Sequence, residues 1–195
     1  GFLASGAAEP GDGVTSLGTT LTLKLLSESP VFAPHYGIYS HRIGDQWLAG
    51  GASNTGGVVL KQFFTSEDIV RLTPLMDANH NTGLNYYPLP KPGERFPVND
   101  PALQPRMTPR PKEDHLFLQG LLEGIADIEA LGYRRLAELG ATPLASIRSA
   151  GGGAANNVWT QLRLNRLKVP ARESASEHAA MGTARLAWRG IGHHA

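Results

Sequence analysis

Three glycine-rich bends carry the residues of this sequence best suited to holding a charged ligand. The first is Gly18-Thr19-Thr20, where a glycine turn can expose backbone N–H groups beside two hydroxyl donors. The second is "GGASNTGG", residues 50–57. The third is Gly151-Gly152-Gly153, followed by Asn156, Asn157 and Trp159. Glycines let a flat or anionic ligand lie against the backbone. A helix starting just after them adds free N–H groups and a partial positive charge. Either asparagine can cap that helix, leaving the other side chain for a ligand's polar edge. Trp159 offers a ring face for stacking. Each bend taken alone reads better as an ordinary turn or helix cap. Three of them at strand ends exceed what capping requires. A nucleotide with its phosphates on the first bend and its base on the third would explain them together.

Other chemistries are excluded or unsupported. The 195 residues contain no cysteine, which removes disulfides, thiol catalysis and zinc knuckles. The seven histidines are scattered and none stands in an HExxH spacing; His193 and His194 read as tail. The sequence has no GxxxxGK[ST] and no GxGxxG, so neither a Walker phosphate loop nor a dinucleotide fingerprint is present. GxSxG is unmatched, which makes Ser53 a poor nucleophile. A net charge of +1 argues against nucleic acid or an acidic membrane surface as the main partner. No apolar run approaches the length of about 18–20 residues that spans a bilayer. The start, "GFLA", has neither Met nor a basic region, so it does not read as a signal peptide.

The elements that must position the bends follow from periodicity. Leu21, Leu23 and Leu25 alternate with Thr22 and Lys24, predicting a hairpin with strands over 14–17 and up to 26 around the first bend. Further strands are expected at 36–40 and 46–50, then short helices over 55–64 and 65–78, the latter interrupted at Pro74. Residues 79–111 hold eight of the 14 prolines, which predicts a long irregular insertion. Tyr86, Tyr87 and Phe96 make it too apolar for a free linker. A long helix is expected over 112–139, with Leu118, Leu121, Leu122, Ile125 and Ile128 on one face. Gly120, Gly124 and Gly132 each weaken that helix by up to about 1 kcal/mol, so another element should pack closely there. A strand over 144–148, a helix over 156–167, a short strand over 169–172 and a last helix over 176–189 complete the order. The fold class is α/β: one domain with a mixed sheet, antiparallel at its start, and helices on both faces.

At this level of detail the chain resembles the C-terminal domain of the FGGY carbohydrate kinases. Six segments carry the resemblance in order: "TSLGTTLTLK", "LAGGASNTGGVVLKQF", "YYPLPKPGERFPVNDP", "HLFLQGLLEGIA", "AGGGAANNVWTQLRLNRLKVP" and "EHAAMGTARLA". The first and fifth look most similar to the D-ribulose and D-xylulose kinase branch. The resemblance implies an actin-like ATPase (ribonuclease H-like) fold and a role as the ATP-binding half of an enzyme. That enzyme would pass the γ-phosphate of ATP to a ketose hydroxyl, with Mg²⁺ as the metal. It implies that Gly18, Thr19 and Thr20 line the β- and γ-phosphates, that Gly57 and Lys61 approach phosphates or ribose, and that Gly152, Gly153 and Asn156 frame the adenosine. Trp159 fits base packing or the core of its own helix, and Lys61 fits a solvated helix lysine equally well.

The family's catalytic aspartate stands at the start of a helix before the first phosphate turn. Here only the tail "GFLASGAA" of such a helix is present, and Asp12 in "EPGDG" sits in a turn context. The base is therefore expected upstream of Gly1, along with an N-terminal sugar-binding domain as partner. No residue of the chain is expected to ligate a metal directly. A cytoplasmic location is expected. Apolar surface that the other domain would cover is also where two copies could pair as a homodimer. Two further readings stay open: a non-enzymatic actin-like nucleotide module, and a scaffold whose glycines serve packing alone. A kinase for another polyol, such as glycerol, is the nearest alternative among enzymes.

Overall fold

The computed structural model describes residues 2–175; the helix expected over 176–189 lies outside them. Strands β1 (Asp12–Leu17) and β2 (Leu21–Ser27) form the expected hairpin, with Leu17 opposite Leu21 across the three-residue bend. Strands β3 (Phe32–Ala33) and β4 (Ile38–Tyr39) make a small separate ladder. Strands β5 (His41–Ile43) and β6 (Gln46–Ala52) return to the main sheet. Strand β7 (Ser146–Ala150) completes it in the order β5-β6-β2-β1-β7. The ladder is antiparallel except for β7, which runs parallel to β1 from Asp12 opposite Ser146 to Ser16 opposite Ala150.

The helices are α1 (Gly57–Leu60), α2 (Ser66–Leu72), α3 (Asp114–Glu138) and α4 (Asn157–Leu167). The first starts later than expected because Gly56, at φ +135°, holds a conformation that only glycine adopts easily, and it also ends earlier, at Leu60. The second begins at a capping box: the Thr65 hydroxyl accepts from the Asp68 N–H, and the Asp68 carboxylate accepts from the Thr65 N–H. It ends in a 3₁₀ turn, Thr73–Leu75, around Pro74. The segment expected as a strand over 169–172 makes one parallel bridge, Ile147 to Ala171. Pro170 has no N–H to extend it.

Helices α3 and α4 pack on each other, and their apolar faces join Leu17, Leu21, Leu23 and Leu25 in one core. The glycines of α3 have the expected cause. A Cβ on Gly120 would lie 2.6 Å from Leu84, one on Gly124 would lie 2.7 Å from the Tyr86 carbonyl, and one on Gly132 would lie 2.7 Å from Leu23. The proline-rich segment therefore lies directly along α3. Tyr86, Leu89 and Phe96 are buried in doing so. That segment has no helix or strand beyond two bridges, Tyr87 to Arg106 and Glu94 to Asp100.

A buried polar knot ties the sheet to the helices. Arg163 of α4 donates through Nε and Nη2 to the Glu129 carboxylate of α3, at 2.6 and 2.7 Å. Its Nη1 donates to Ser149 of β7, and Thr15 of β1 donates to Glu129. Thr15 also shares a hydrogen bond with the Tyr133 hydroxyl. Burial and the Glu129 charge push the Tyr133 phenol far above its ordinary range, so it keeps its proton.

Candidate functional site

The parallel pairing of β1 and β7 decides where the bends lie. Two parallel strands have their C-terminal ends on the same side, so the hairpin bend after Leu17 and the glycine loop after Ala150 are neighbours. A Cβ on Gly151, at φ +82°, would lie 3.0 Å from the Leu17 carbonyl. The two bends, α1, α2 and the start of α4 surround one cleft of about 530 Å³.

Eight of the nine expected ligand residues line it: Gly18, Thr19, Gly57, Lys61, Gly152, Gly153, Asn156 and Trp159. Thr20 belongs to the same bend but is not part of the lining. No Asp or Glu lines the cleft, and Lys61, exposed at its rim, forms no ion pair among the described residues.

Helix α1 sets the direction of the hairpin bend. The amides of Gly57 and Val58 donate to the Gly18 and Thr19 carbonyls, at 2.9 and 3.0 Å. A trans peptide points its N–H opposite to its C=O. With both carbonyls turned into α1, the Thr19 and Thr20 amides turn away from it, and neither has a partner among the described residues. Their hydroxyls are unpartnered there as well. The bend thus presents two amides and two hydroxyls, a group of donors suited to an oxyanion.

The triple glycine resolves into three different causes. Gly151 carries the positive φ that turns the chain off β7. Gly153 makes room for the Trp159 ring, whose Cζ3 would lie 2.3 Å from a Cβ there. Gly152 meets nothing within 4 Å. Its missing side chain serves no contact within the fold, and it faces the cleft. Gly18 is similarly open: the nearest atom to a Cβ there is 3.7 Å away.

Two expected residues take the structural one of the two parts the sequence left open. Trp159 is buried, joins the core cluster and backs the glycine loop with its ring. Asn156 caps α4 by accepting from the Trp159 N–H at 2.9 Å, and its amide donates to Thr73 at 3.0 Å. The asparagine left over is Asn157, exposed on the cleft. The apolar part of the lining, Phe64, Ile69, Val70 and Pro74, was invisible in the sequence because no motif marks it. Only the exposure of Val70, 74%, on an otherwise amphipathic short helix hints at a partner.

The profile of the FGGY family of carbohydrate kinases, C-terminal domain, matches residues 13–191. The chain belongs to that family. A gluconokinase of Bacillus subtilis (strain 168) is 25% identical over 180 residues, covering 82% of this chain and 35% of the relative. A xyloylose kinase from Brucella ovis superposes with a TM-score of 0.80 at 23% identity, over 97% of this chain and 41% of that one. The glycerol kinase of Plasmodium falciparum, solved with ADP, superposes with a TM-score of 0.76 at 16% identity, over 97% and 40%. The fold is the actin-like ATPase fold of these kinases. The chain spans about two fifths of the length of the relatives it matches.

In this FGGY domain Asp12 stands at the far end of β1, about 17 Å of strand from the bend. Its carboxylate accepts from Ser146 at 2.6 Å and from the Ala8 and Glu9 amides, with Arg148 3.3 Å away. Partial burial opposes its charge, but Ser146, the two amides and Arg148 outweigh it and hold the carboxyl below its usual range. A depressed pKa contributes stability above the unfolded value of about 3.9, and that contribution is lost as pH falls through the folded value. Asp12→Asn should therefore melt lower than the parent at pH 7, with the gap closing below about pH 4. A gap that does not narrow at all as pH falls below about 4 would mean the carboxylate charge is not what matters. Among the described residues no three acidic or histidine side chains converge on a metal site, and no helix is long and apolar enough to cross a membrane.

Proposed function

We propose that this domain is the nucleotide half of a kinase that passes the γ-phosphate of ATP to a hydroxyl of a ketose. A pentulose such as D-ribulose or D-xylulose is the expected acceptor. One observation carries the reading: the hairpin bend and the glycine loop border a single cleft, and each offers it a glycine that the fold itself does not need. The ADP present in the P. falciparum glycerol kinase structure supports the nucleotide.

Each residue then has a task. The Thr19 and Thr20 amides and hydroxyls neutralise charge on the transferred phosphoryl group, which needs positioning and electrostatics more than covalent help. Lys61 supplies the single positive side chain on the rim among the described residues. Gly152 lets the nucleoside lie on the backbone, Asn157 offers a polar edge, and Ile69, Val70 and Pro74 offer an apolar wall. Mg²⁺ would arrive on the triphosphate, whose oxygens are its usual ligands. The proton acceptor in this reading is a carboxylate of the intact protein outside this chain, since among the described residues none lines the cleft and Asp12 is committed elsewhere. The sugar site belongs to an N-terminal domain closing over the cleft and excluding water, in the cytoplasm where ATP is available.

Gluconate and glycerol are the competing acceptors, named by the relatives. The expected result is a larger thermal shift with ATP·Mg²⁺ than with GTP·Mg²⁺, and phosphorylation of pentuloses by the full-length protein ahead of gluconate and glycerol. Equal shifts would remove the adenine assignment. Turnover of gluconate or glycerol alone would replace the pentulose, and nucleotide binding without any turnover would favour the non-enzymatic module.

A further inference from the structure

Glu94 lies outside the cleft, in the proline-rich segment, and is 3% exposed. It has no ion pair among the described residues. The two nearby arginines are occupied elsewhere: Arg95 Nε donates to the Ala52 carbonyl, and Arg106 Nε donates to the Asn85 carbonyl. Its charge is balanced by dipoles alone. Oε2 accepts from the Ser53 hydroxyl at 2.5 Å and the Tyr87 hydroxyl at 3.2 Å. Oε1 accepts from the amides of Asn54 at 2.8 Å and Arg95 at 3.0 Å. Burying a carboxylate without a cation is expensive unless its oxygens are fully supplied with donors. Four donors on two oxygens meet that condition. A glutamine has one acceptor oxygen and an NH₂ that would face donors.

What Glu94 grips at Ser53 leads to the hairpin bend. The Ser53 hydroxyl, while donating to Glu94, accepts from the Thr55 amide at 3.1 Å. The Ser53 amide donates to the Leu21 carbonyl, and the Leu21 amide donates to the Thr55 carbonyl. Thr55 is pinned on the other side by its hydroxyl bond to the Pro88 carbonyl. Two residues later the Gly57 and Val58 amides take the Gly18 and Thr19 carbonyls. We infer that Glu94 is a positioning residue for the phosphate bend: through residues 53–58 it fixes which way the Thr19 and Thr20 amides face, without touching the ligand. The role rests on the nucleotide reading of the cleft. It also gives the proline-rich segment a purpose beyond covering α3: it delivers one carboxylate to the back of the bend.

The test uses the full-length protein with Glu94→Gln, and Ser53→Ala as a second variant that cuts the same relay at its next member. ATP, ADP and adenosine are titrated calorimetrically, and initial rates are measured against ATP and against sugar. With Glu94→Gln, ATP and ADP affinity should fall at least tenfold and kcat at least tenfold. Adenosine affinity and the KM for sugar should stay within twofold. Ser53→Ala should show the same pattern with a smaller loss. ATP affinity and kcat unchanged in both variants would overturn the inference, and so would a parallel loss of ATP and adenosine, which marks general unfolding. Should Glu94→Gln fail to fold, Ser53→Ala decides alone by the same criteria. A parent protein that binds neither ATP nor adenosine would instead sink the nucleotide reading, and this inference with it.

Discussion

Replacing Arg163 by methionine should lower the unfolding free energy by about 3–5 kcal/mol, the usual cost of stranding one partner of a buried ion pair. Glu129 is fully buried, and its two oxygens are held by Arg163 and Thr15. Without the guanidinium, a carboxylate would remain in the core with one hydroxyl for company. For a domain of this size each kcal/mol moves Tm by about 2–4 °C, so a fall of roughly 10 °C is expected in a melting scan. The double variant Glu129→Leu, Arg163→Met removes both charges and should regain most of the loss, since an apolar pair of similar volume is often neutral or better. A double variant as unstable as the single one would move the cost from stranded charge to lost packing. The knot matters beyond stability. Thr15 stands three residues before Gly18, and Ser149 two before Gly151, so Arg163 and Glu129 hold the two strands whose ends carry the bends.

That knot is also a measure of what the sequence can disclose. The hairpin was legible because alternation and the Gly-Thr-Thr turn are local signals, and its register came out around the expected bend. Helix α3 was legible for the same reason, and its three glycines correctly forecast a close neighbour. Arg163 and Glu129 gave no such signal: each reads as an ordinary helix charge, and only the crossing of α3 and α4 turns them inward. Strands β3 and β5 are two and three residues long, too short for any period to show, whereas β4 falls inside the strand expected over 36–40. In the cleft, the bends could be named because their glycines repeat, but the division of labour among them could not. Trp159 could be read as base packing or as core, and Asn156 as cap or as ligand contact, because a sequence does not say which side of a helix faces the sheet. Phe64, Ile69 and Val70 line the cleft through tertiary placement alone.

Gly152 and Gly153 should separate stability from binding within two adjacent positions. Gly153→Ala places a methyl 2.3 Å from the Trp159 ring and 2.8 Å from the Leu17 Cβ. Both neighbours are buried, so the clash is relieved only by moving core side chains, at a cost of about 1–3 kcal/mol. Gly152→Val meets open space, and its φ is not in the left-handed range, so stability should change by no more than about 0.5 kcal/mol. The same isopropyl group would stand where a nucleoside has to approach the backbone. ATP affinity should drop at least tenfold, equivalent to about 1.4 kcal/mol or more. Denaturant melts and calorimetric titration of both variants read the two axes independently. If Gly152→Val keeps its ATP affinity within twofold, no nucleotide lies against this loop. If it loses stability as Gly153→Ala does, the triple glycine serves packing throughout, and the scaffold reading replaces the kinase one for this bend.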